Sequence, residues 1–186
     1  MNIYSRRTVL AGAGASLTLA AACSNGLGSL GPETIDARVA SSMSFLYANY
    51  PATQDLRDKS AGQLVMPLVT EAGFGIGGSY GRGALQVAGS TIDYYSATQA
   101  SVGFQIGAQQ YAHVLFFMTN DSLYSFRNSP GWSAGADVQY AVNDQAGNLS
   151  ADTTTSLSPV IAVIFGQAGL IAGATVKGTK YNRIIP

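Results

Sequence analysis

The change of periodicity at Gln63 constrains the fold of this chain more than any other feature. From there onward, short segments rich in Val, Ile, Phe and Tyr alternate with Gly, Asn, Asp and Ser, which is typical of β-strands joined by turns. Long helical segments do not alternate with these strands, so an antiparallel sheet is favoured over a doubly wound parallel one. The predicted strands span 64–69, 74–80, 84–87, 91–95, 101–108, 113–118, 132–142, 160–165, 170–177 and 179–184.

Helical periodicity is found mainly before the first strand. Over 32–50, apolar residues recur at three- and four-residue spacing from Ile35 to Leu46 and therefore share one helix face. A shorter helix is predicted over 53–62, and a third, at 120–128, interrupts the strands. We predict an α+β fold, with a mainly antiparallel, Gly-rich sheet or barrel-like β core and the N-terminal amphipathic helices packed on one side.

The glycine-rich stretch "AGFGIGGSYGRG", at 72–83, matches two catalytic patterns. Gly73, Gly75 and Gly78 have the spacing of a dinucleotide-binding turn, but no helix pattern follows to receive the phosphates. Ser79 occupies the G-x-S-x-G position of a hydrolase nucleophile, yet the strand, turn and helix that expose such a serine are missing from the pattern. Nucleotide binding and nucleophilic hydrolysis are therefore both disfavoured.

The position of His113 also disfavours a hydrolase, and the alternation of residue size around 72–83 indicates a strand with one bare face. Ser79, Asp93 and His113 follow the order of a hydrolase triad, but His113 lies in an apolar strand, where a core histidine with a satisfied ring nitrogen is favoured. In 73–81, bulky side chains alternate with glycines, so one strand face is nearly bare. A bare face admits a second backbone at close range or leaves room for a slender apolar ligand.

The composition excludes several classes of function. Ten basic and ten acidic residues balance each other, so no basic field is available for a nucleic-acid partner. One cysteine and one histidine cannot form an internal disulfide or a cysteine- and histidine-rich metal site. We expect no nucleic acid, no metal and no cofactor.

The N-terminal segment has the pattern of a bacterial export signal. Arg6 and Arg7 precede an uncharged run over 8–22 that is shorter than the roughly 20 residues of a membrane span, and "SRRTVL" is typical of a twin-arginine signal. The alanines before Cys23 resemble a lipobox, so we predict that Cys23 is lipidated; an ordinary Ala-x-Ala cleavage is the alternative. The predicted organisation is a signal peptide at 1–22, a lipidated N-terminus and flexible tether at 23–32, and one domain at 33–186.

Several long motifs, in order and spacing, resemble the SYLF domain family. They are "MPLVTEAGFGIGGSYGRGAL", "YYSATQASVGFQIGAQQYAHVLFFM", "SLYSFRNSPGWSAGADVQYAV" and "IFGQAGLIAGATVKGTKYNRI", and the resemblance covers roughly residues 36–185. The family includes bacterial secreted proteins and lipoproteins, and eukaryotic SH3- and FYVE-containing proteins of actin patches and endocytosis. The resemblance implies that the protein binds lipid. Bacterial members are suggested to bind phospholipids, and eukaryotic members are reported to bind phosphoinositides. The resemblance implies no enzyme activity.

The helices that match the membrane-contacting segment of eukaryotic SYLF proteins carry few basic residues. Lipid-binding candidates there are Arg38, Arg57 and Lys59. Aspartates of the same helices balance these cations, so the resemblance implies a phospholipid more than a phosphoinositide. Asp55 and Asp58 bracket Arg57, a pattern more typical of a solvated helix face than of a metal site.

The densest basic segment lies near the C-terminus, in "KGTKYNR". On one extended strand Lys177 and Arg183 share a face and Lys180 takes the other, so a joint head-group site requires a bend, which Gly178 could supply. Arg82, between two glycines, is predicted at a turn on the rim. For each of these cations, a solvated charge without a ligand is the alternative.

These features together predict a non-enzymatic phospholipid-binding lipoprotein of the bacterial cell envelope. Its partner would be a phospholipid membrane. Ser24, directly after Cys23, favours the periplasmic face of the outer membrane under the sorting rule of some Gram-negative lipoproteins. The alternative is an envelope structural or protein-interaction module whose only membrane contact is its acyl anchor.

Overall fold

A long antiparallel hairpin is the framework of the fold. Strand β1, Gly62–Val87, pairs with strand β2, Ser90–Phe117, and the two are joined by Ala88 and Gly89, which both have positive φ. The computed structural model describes residues 31–135, 138–140, 142–143, 149–150, 158–166, 169–170 and 176–186, and within them not the side chains of 74–76, 101–108, 139–140, 142–143, 149–150 and 169–170.

The hairpin corrects the prediction of six short strands between 64 and 118. Glycines interrupt the apolar pattern but do not end the strands, because irregularities in the register absorb them. These irregularities fall between Met66 and Val69, between Gly73 and Gly75, and at Leu85. Bulges of this kind bend a strand and increase its twist without ending its pairing.

The ribbon folds back on itself, so that the two ends of β1 meet. The side-chain amide of Gln63 donates a 3.0 Å hydrogen bond to Oε1 of Gln86. A Cβ atom at Gly83 would overlap the carbonyl oxygen of Val65, and one at Gly81 would lie 2.7 Å from a second carbonyl oxygen. At these two glycines, the bare strand face therefore serves close backbone approach.

The remaining strands complete a seven-stranded, curled half-barrel sheet of order β3-β9-β2-β7-β4, with β1 on β2 and β8 on β7. β4 runs parallel to β7, and the other pairs are antiparallel. A second sheet pairs β5 with β6. The strands are β3 Trp132–Ser133, β4 Val138–Tyr140, β5 Val142–Asn143, β6 Leu149–Ser150, β7 Val160–Gly166, β8 Gly169–Leu170 and β9 Lys180–Ile184.

One strand prediction in this part of the chain changes, and another falls mostly outside the described residues. The strand expected over 132–142 is divided, because the chain leaves β9 after Ser133 and pairs with β7 from Val138. Most of the strand expected over 170–177 lies outside the described residues.

In the part of the chain that the structure describes, three helices pack on the sheet: α1 Pro32–Asn49, α2 Thr53–Lys59 and α3 Asn120–Asn128. The two faces of the sheet form separate apolar clusters. On one face the predicted stripe of α1, together with Leu56 of α2, is buried against alternate residues of β1, β2 and β7. The other face, inside the curl, holds residues such as Leu115, Phe117 and Tyr181, and it is closed by Phe126 of α3. The predicted α+β class, with N-terminal helices on one side of the sheet, is confirmed.

The described residues from Pro32 onward form one compact unit, Pro32–Pro186. In that part of the chain, the helices are too short or too polar to cross a bilayer. Cys23 and the predicted export signal lie outside the described residues.

Candidate functional site

The register of three strands brings two of the candidate cations to one sheet face. Arg82 lies opposite Ser96 of β2, which lies opposite Asn182 of β9. One row further along, Tyr80 is opposite Thr98 and Thr98 is opposite Lys180. Directly paired residues of an antiparallel sheet project to the same side. The side chains of Arg82 and Lys180 therefore lie in adjacent rows of one face.

Lys177 lies beside the same strands, in the turn before β9, but its backbone bonds to a side chain on the other face of β2. Its carbonyl oxygen accepts a 2.9 Å hydrogen bond from Nε2 of Gln99, the residue after Thr98. The bend predicted at Gly178 is present, with φ of 82°. We use the name basic strand patch for Tyr80, Arg82, Thr98, Lys177 and Lys180. Lys177 and Lys180 are exposed, and so is the aromatic ring of Tyr80, at 44%.

Arg82 is not at a turn, which corrects the prediction made from its flanking glycines. It lies within β1 and is half-buried. The glycines on either side face the close backbone approach inside the fold, so they do not mark a chain reversal. Arg82 consequently belongs to the sheet surface and not to a loop on its rim.

Arg183 projects away from Lys180, as predicted from their odd spacing, but Lys177 does not share a strand face with Arg183, because the chain turns at Gly178 before β9 begins. It lies opposite Tyr95, on the face that holds Tyr181 and Phe126. Its Nη2 atom lies 3.1 Å from Oδ2 of Asp93. The structure therefore separates Arg183 from the two lysines of its own sequence segment.

Arg57, one of the three helix cations, contacts a neighbouring carboxylate and a tyrosine of α1. Arg57 pairs with Asp58 at 2.8 Å, and its guanidinium lies 4.9 Å from the centroid of the Tyr47 ring. The hydrogen bond from Arg57 holds the pKa of Asp58 below its ordinary value, and the same bond raises the pKa of Arg57. Arg38 and Lys59 are exposed on α1 and α2.

Ser79, Asp93 and His113 each interact with other side chains. Nε2 of His113 lies 2.8 Å from the Tyr181 hydroxyl, and Asp93 holds Arg127 and Arg183. Ser79 is buried beside Tyr111. Burial raises the pKa of Tyr111, and the hydrogen bond with Ser79 opposes that rise. Burial lowers the pKa of His113 to about 3, so this imidazole stays neutral inside the sheet. Among the described residues, no group of three or more His, Cys, Asp or Glu is placed to hold a metal ion.

A comparison with protein-family models bears on the resemblance to the SYLF family that the motifs suggested. Residues 98–183 match the family described as "Ysc84: Las17-binding protein actin regulator". This segment matches the SYLF family that the motifs resemble. The SYLF match begins at Thr98 in the basic strand patch and ends at Arg183, and it includes α3, β7 and all of β9 except its last residue. Curated proteins give no match to the chain.

SYLF proteins are binding modules for proteins and lipids. The sequence did not single out Tyr80 or Arg127, although both have surface positions beside candidate cations. Tyr80 is in register with Lys180 through Thr98, and Arg127 shares Asp93 with Arg183. Only strand pairing and helix packing bring these residues together, since they lie far apart along the chain. The alternation of large residues with glycines over 73–81 could have indicated that Tyr80 is exposed. No sequence pattern indicated a role for Arg127.

Proposed function

We propose that this protein is a non-enzymatic, phospholipid-binding lipoprotein of the bacterial cell envelope, and that the basic strand patch contacts phospholipid head groups. The observation that carries the proposal is that Arg82, Lys180 and the exposed ring of Tyr80 lie in adjacent rows of one sheet face, with the exposed Lys177 in the turn just before β9. The match to a family of lipid- and protein-binding modules supports it.

The chemistry of the patch suits a membrane interface. Lysine ammonium groups are attracted to anionic lipids, with a contribution of about 1 kcal/mol for each basic residue near the surface. A tyrosine combines an apolar ring with a polar hydroxyl and is favoured at the level of the head groups. Two exposed lysines and one exposed tyrosine therefore favour weak, salt-sensitive contact with a bilayer over deep insertion.

The predicted anchor at Cys23 supplies the proximity that such weak contact requires. An acyl chain gains about 0.8 kcal/mol for each buried methylene group, and the glycine- and serine-containing tether after Cys23 is typical of a flexible linker. Tethering raises the effective concentration of the patch at the membrane without any new contact. We place the anchored protein on the periplasmic face of the outer membrane.

Vesicle co-sedimentation tests the head-group contact. The mature chain, from residue 23 onward and with Cys23→Ser, is mixed with phosphatidylglycerol/phosphatidylcholine vesicles and with pure phosphatidylcholine vesicles over a range of salt concentrations. The double variant Lys177→Gln/Lys180→Gln is expected to bind the anionic vesicles at least about tenfold more weakly, since two surface charges are lost. The pair Arg57→Gln/Lys59→Gln removes the same charge from α2 and is expected to have a smaller effect.

Two outcomes would contradict the proposal. Absence of binding to any vesicle by the parent chain would overturn lipid binding as the function. Equal losses in the strand and helix variants would mean that net charge, and not the basic strand patch, determines affinity. Mass spectrometry of the mature protein from its native membrane checks the acylation of Cys23 separately.

A protein-interaction module is the second candidate, because the family description names binding to a protein, Las17. In that case the exposed Tyr80 and its neighbouring cations would dock a protein of the envelope, and the acyl chain alone would contact lipid. Binding of one envelope protein by a chain that ignores vesicles, with loss of that binding in Tyr80→Ser, would favour this function.

A further inference from the structure

Arg127 and Arg183 converge on a single carboxylate oxygen, and Arg183 projects to the sheet face opposite to that of Arg82 and Lys180. Nη2 of Arg127 lies 3.3 Å from Oδ2 of Asp93, and Nη2 of Arg183 lies 3.1 Å from the same atom. Asp93 is mostly buried, with 15% of its side chain exposed, whereas the two arginine side chains are 43% and 53% exposed. The cluster therefore presents two guanidinium groups to solvent and keeps its carboxylate beneath them.

The cluster has an unmatched positive charge, because one carboxylate faces two arginines. A guanidinium carries five N–H donors; each arginine uses one Nη2 atom on Asp93, and Arg183 also interacts with the Tyr95 hydroxyl. The remaining donors of two convergent guanidiniums match a phosphate group, which accepts hydrogen bonds from arginine in bidentate geometry. This arrangement is suited to an anion that carries several oxygen acceptors.

Exposed apolar side chains flank the two arginines. Tyr124 lies one helical turn before Arg127 on α3 and is 71% exposed, and residues three apart share a helix face. Ile185, two residues after Arg183, is fully exposed. A phosphate ion in solution makes no use of such side chains, whereas a bilayer places head-group phosphates directly beside apolar chains. The combination therefore favours a lipid surface as the occupant.

We propose that Tyr124, Arg127, Arg183 and Ile185 form a second lipid contact, here named the arginine face, which binds the phosphate groups of anionic phospholipids at a bilayer surface. This inference rests on the proposed function, lipid binding, but it concerns a different surface. Lys180 and Arg183 lie on opposite sides of β9, so the two contacts face different directions. One molecule can then contact two bilayers.

Vesicle clustering tests this inference, because it requires two lipid contacts on one particle. The mature chain, from residue 23 onward and with Cys23→Ser, is added to phosphatidylglycerol/phosphatidylcholine vesicles, and both co-sedimentation and turbidity are recorded. We expect the parent chain to bind and cluster the vesicles. Arg127→Gln is expected to bind about fivefold more weakly, by the contribution of one basic residue at an anionic surface, and to lose clustering. Arg127→Lys, which keeps the charge, is expected to retain clustering.

Two further pairs separate lipid contact from a structural role. Tyr124→Ser is expected to reduce clustering, whereas Ile92→Ser, which removes an exposed apolar side chain outside the arginine face, is expected to leave it unchanged. Asp93→Asn frees both guanidiniums and is expected to raise the affinity for anionic vesicles more than Asp55→Asn, which changes the net charge equally. A purely structural cluster would instead give a lower melting temperature and no gain in affinity.

The outcomes separate the two proposals. If the parent chain binds vesicles, and Arg127→Gln and Tyr124→Ser bind and cluster them as the parent does, the arginine face is overturned and the proposed function stands. If the parent chain binds no vesicle, the proposed function and this inference are both overturned. Binding without clustering by the parent chain would also overturn the inference.

Discussion

The hydroxyl of Tyr181 lies 2.8 Å from Nε2 of His113, inside the curled sheet. Both side chains are almost fully buried, at 1% exposure each. Nδ1 of His113 has no hydrogen-bond partner among the described residues. The ring is therefore held at one nitrogen and can take up a second proton only against the full penalty of burial, which is the reason that its pKa falls to about 3.

Acid is expected to destabilise the protein through His113. An unfolded histidine titrates near pH 6.5, so between about pH 6.5 and 3 the unfolded chain binds one more proton than the folded chain. The free energy of unfolding then falls as the pH falls, by about 1.4 kcal/mol for each pH unit. Urea unfolding at pH 7.5, 6 and 5 measures this slope, and His113→Gln should lack this contribution. An identical slope in the variant would show that another group is responsible.

Gly83→Ala is expected to destabilise the folded-back hairpin strongly. The new methyl group would overlap the Val65 carbonyl oxygen, and backbone cannot move aside as a flexible side chain can. Forcing extra atoms into a packed region typically costs 1–3 kcal/mol, and more where backbone must shift, so we expect a loss of about 3 kcal/mol or greater. Gly78→Ala is the control, because its nearest new contact is 3.3 Å. Equal losses in thermal unfolding would contradict the close approach at Gly83.

Asp36 is expected to control both the docking of α1 and the titration of Tyr94. Its carboxylate accepts hydrogen bonds from Thr91, at 3.0 Å, and from the Tyr94 hydroxyl, at 2.9 Å. Burial is the main cause, and the hydrogen bond to Asp36 the next, of a rise in the pKa of Tyr94 to about 12. Asp36→Ala should lower this pKa without restoring the ordinary value of 10, because the burial remains. Titration of ¹³C-labelled tyrosine by NMR measures the shift, and an unchanged pKa would exclude a contribution from Asp36.

Thr119 is expected to stabilise α3, the helix that carries Tyr124 and Arg127. Its hydroxyl oxygen accepts a 3.1 Å hydrogen bond from the backbone N–H of Ser122. Loss of such a cap typically costs about 1 kcal/mol, so Thr119→Ala should lower the free energy of unfolding by that amount. Thr119→Ser keeps the oxygen and serves as the control. Similar stability of the two variants would mean that the cap contributes nothing.

The helices follow from local sequence. Ile35, Val39, Met43 and Leu46 were predicted on one face by spacing alone, and all four are buried against the sheet. Three-to-four periodicity is a property of the chain itself, so no distant residue was needed to recognise it. The same is true of the strand-rich remainder and of the α+β class.

The strand ends were less predictable, because glycine has two roles that sequence cannot separate. At Gly89 it forms the hairpin turn, with φ of 78°. At Gly81 and Gly83 it lies within a continuous strand and admits a second backbone. The two roles differ only in what lies opposite the missing side chain, which depends on residues far away in the chain.

The sequence by itself determined the helices, the alternation that forms the sheet, the SYLF motifs and the identity of the candidate cations. Tertiary structure alone decided which cations act together. Lys180 lies near Arg82, about a hundred residues earlier in the chain, whereas Arg183, three residues from Lys180, pairs with Asp93. The physical reason is that side-chain direction alternates locally along a strand, while neighbours across a sheet are set by the register of hydrogen bonds between distant segments.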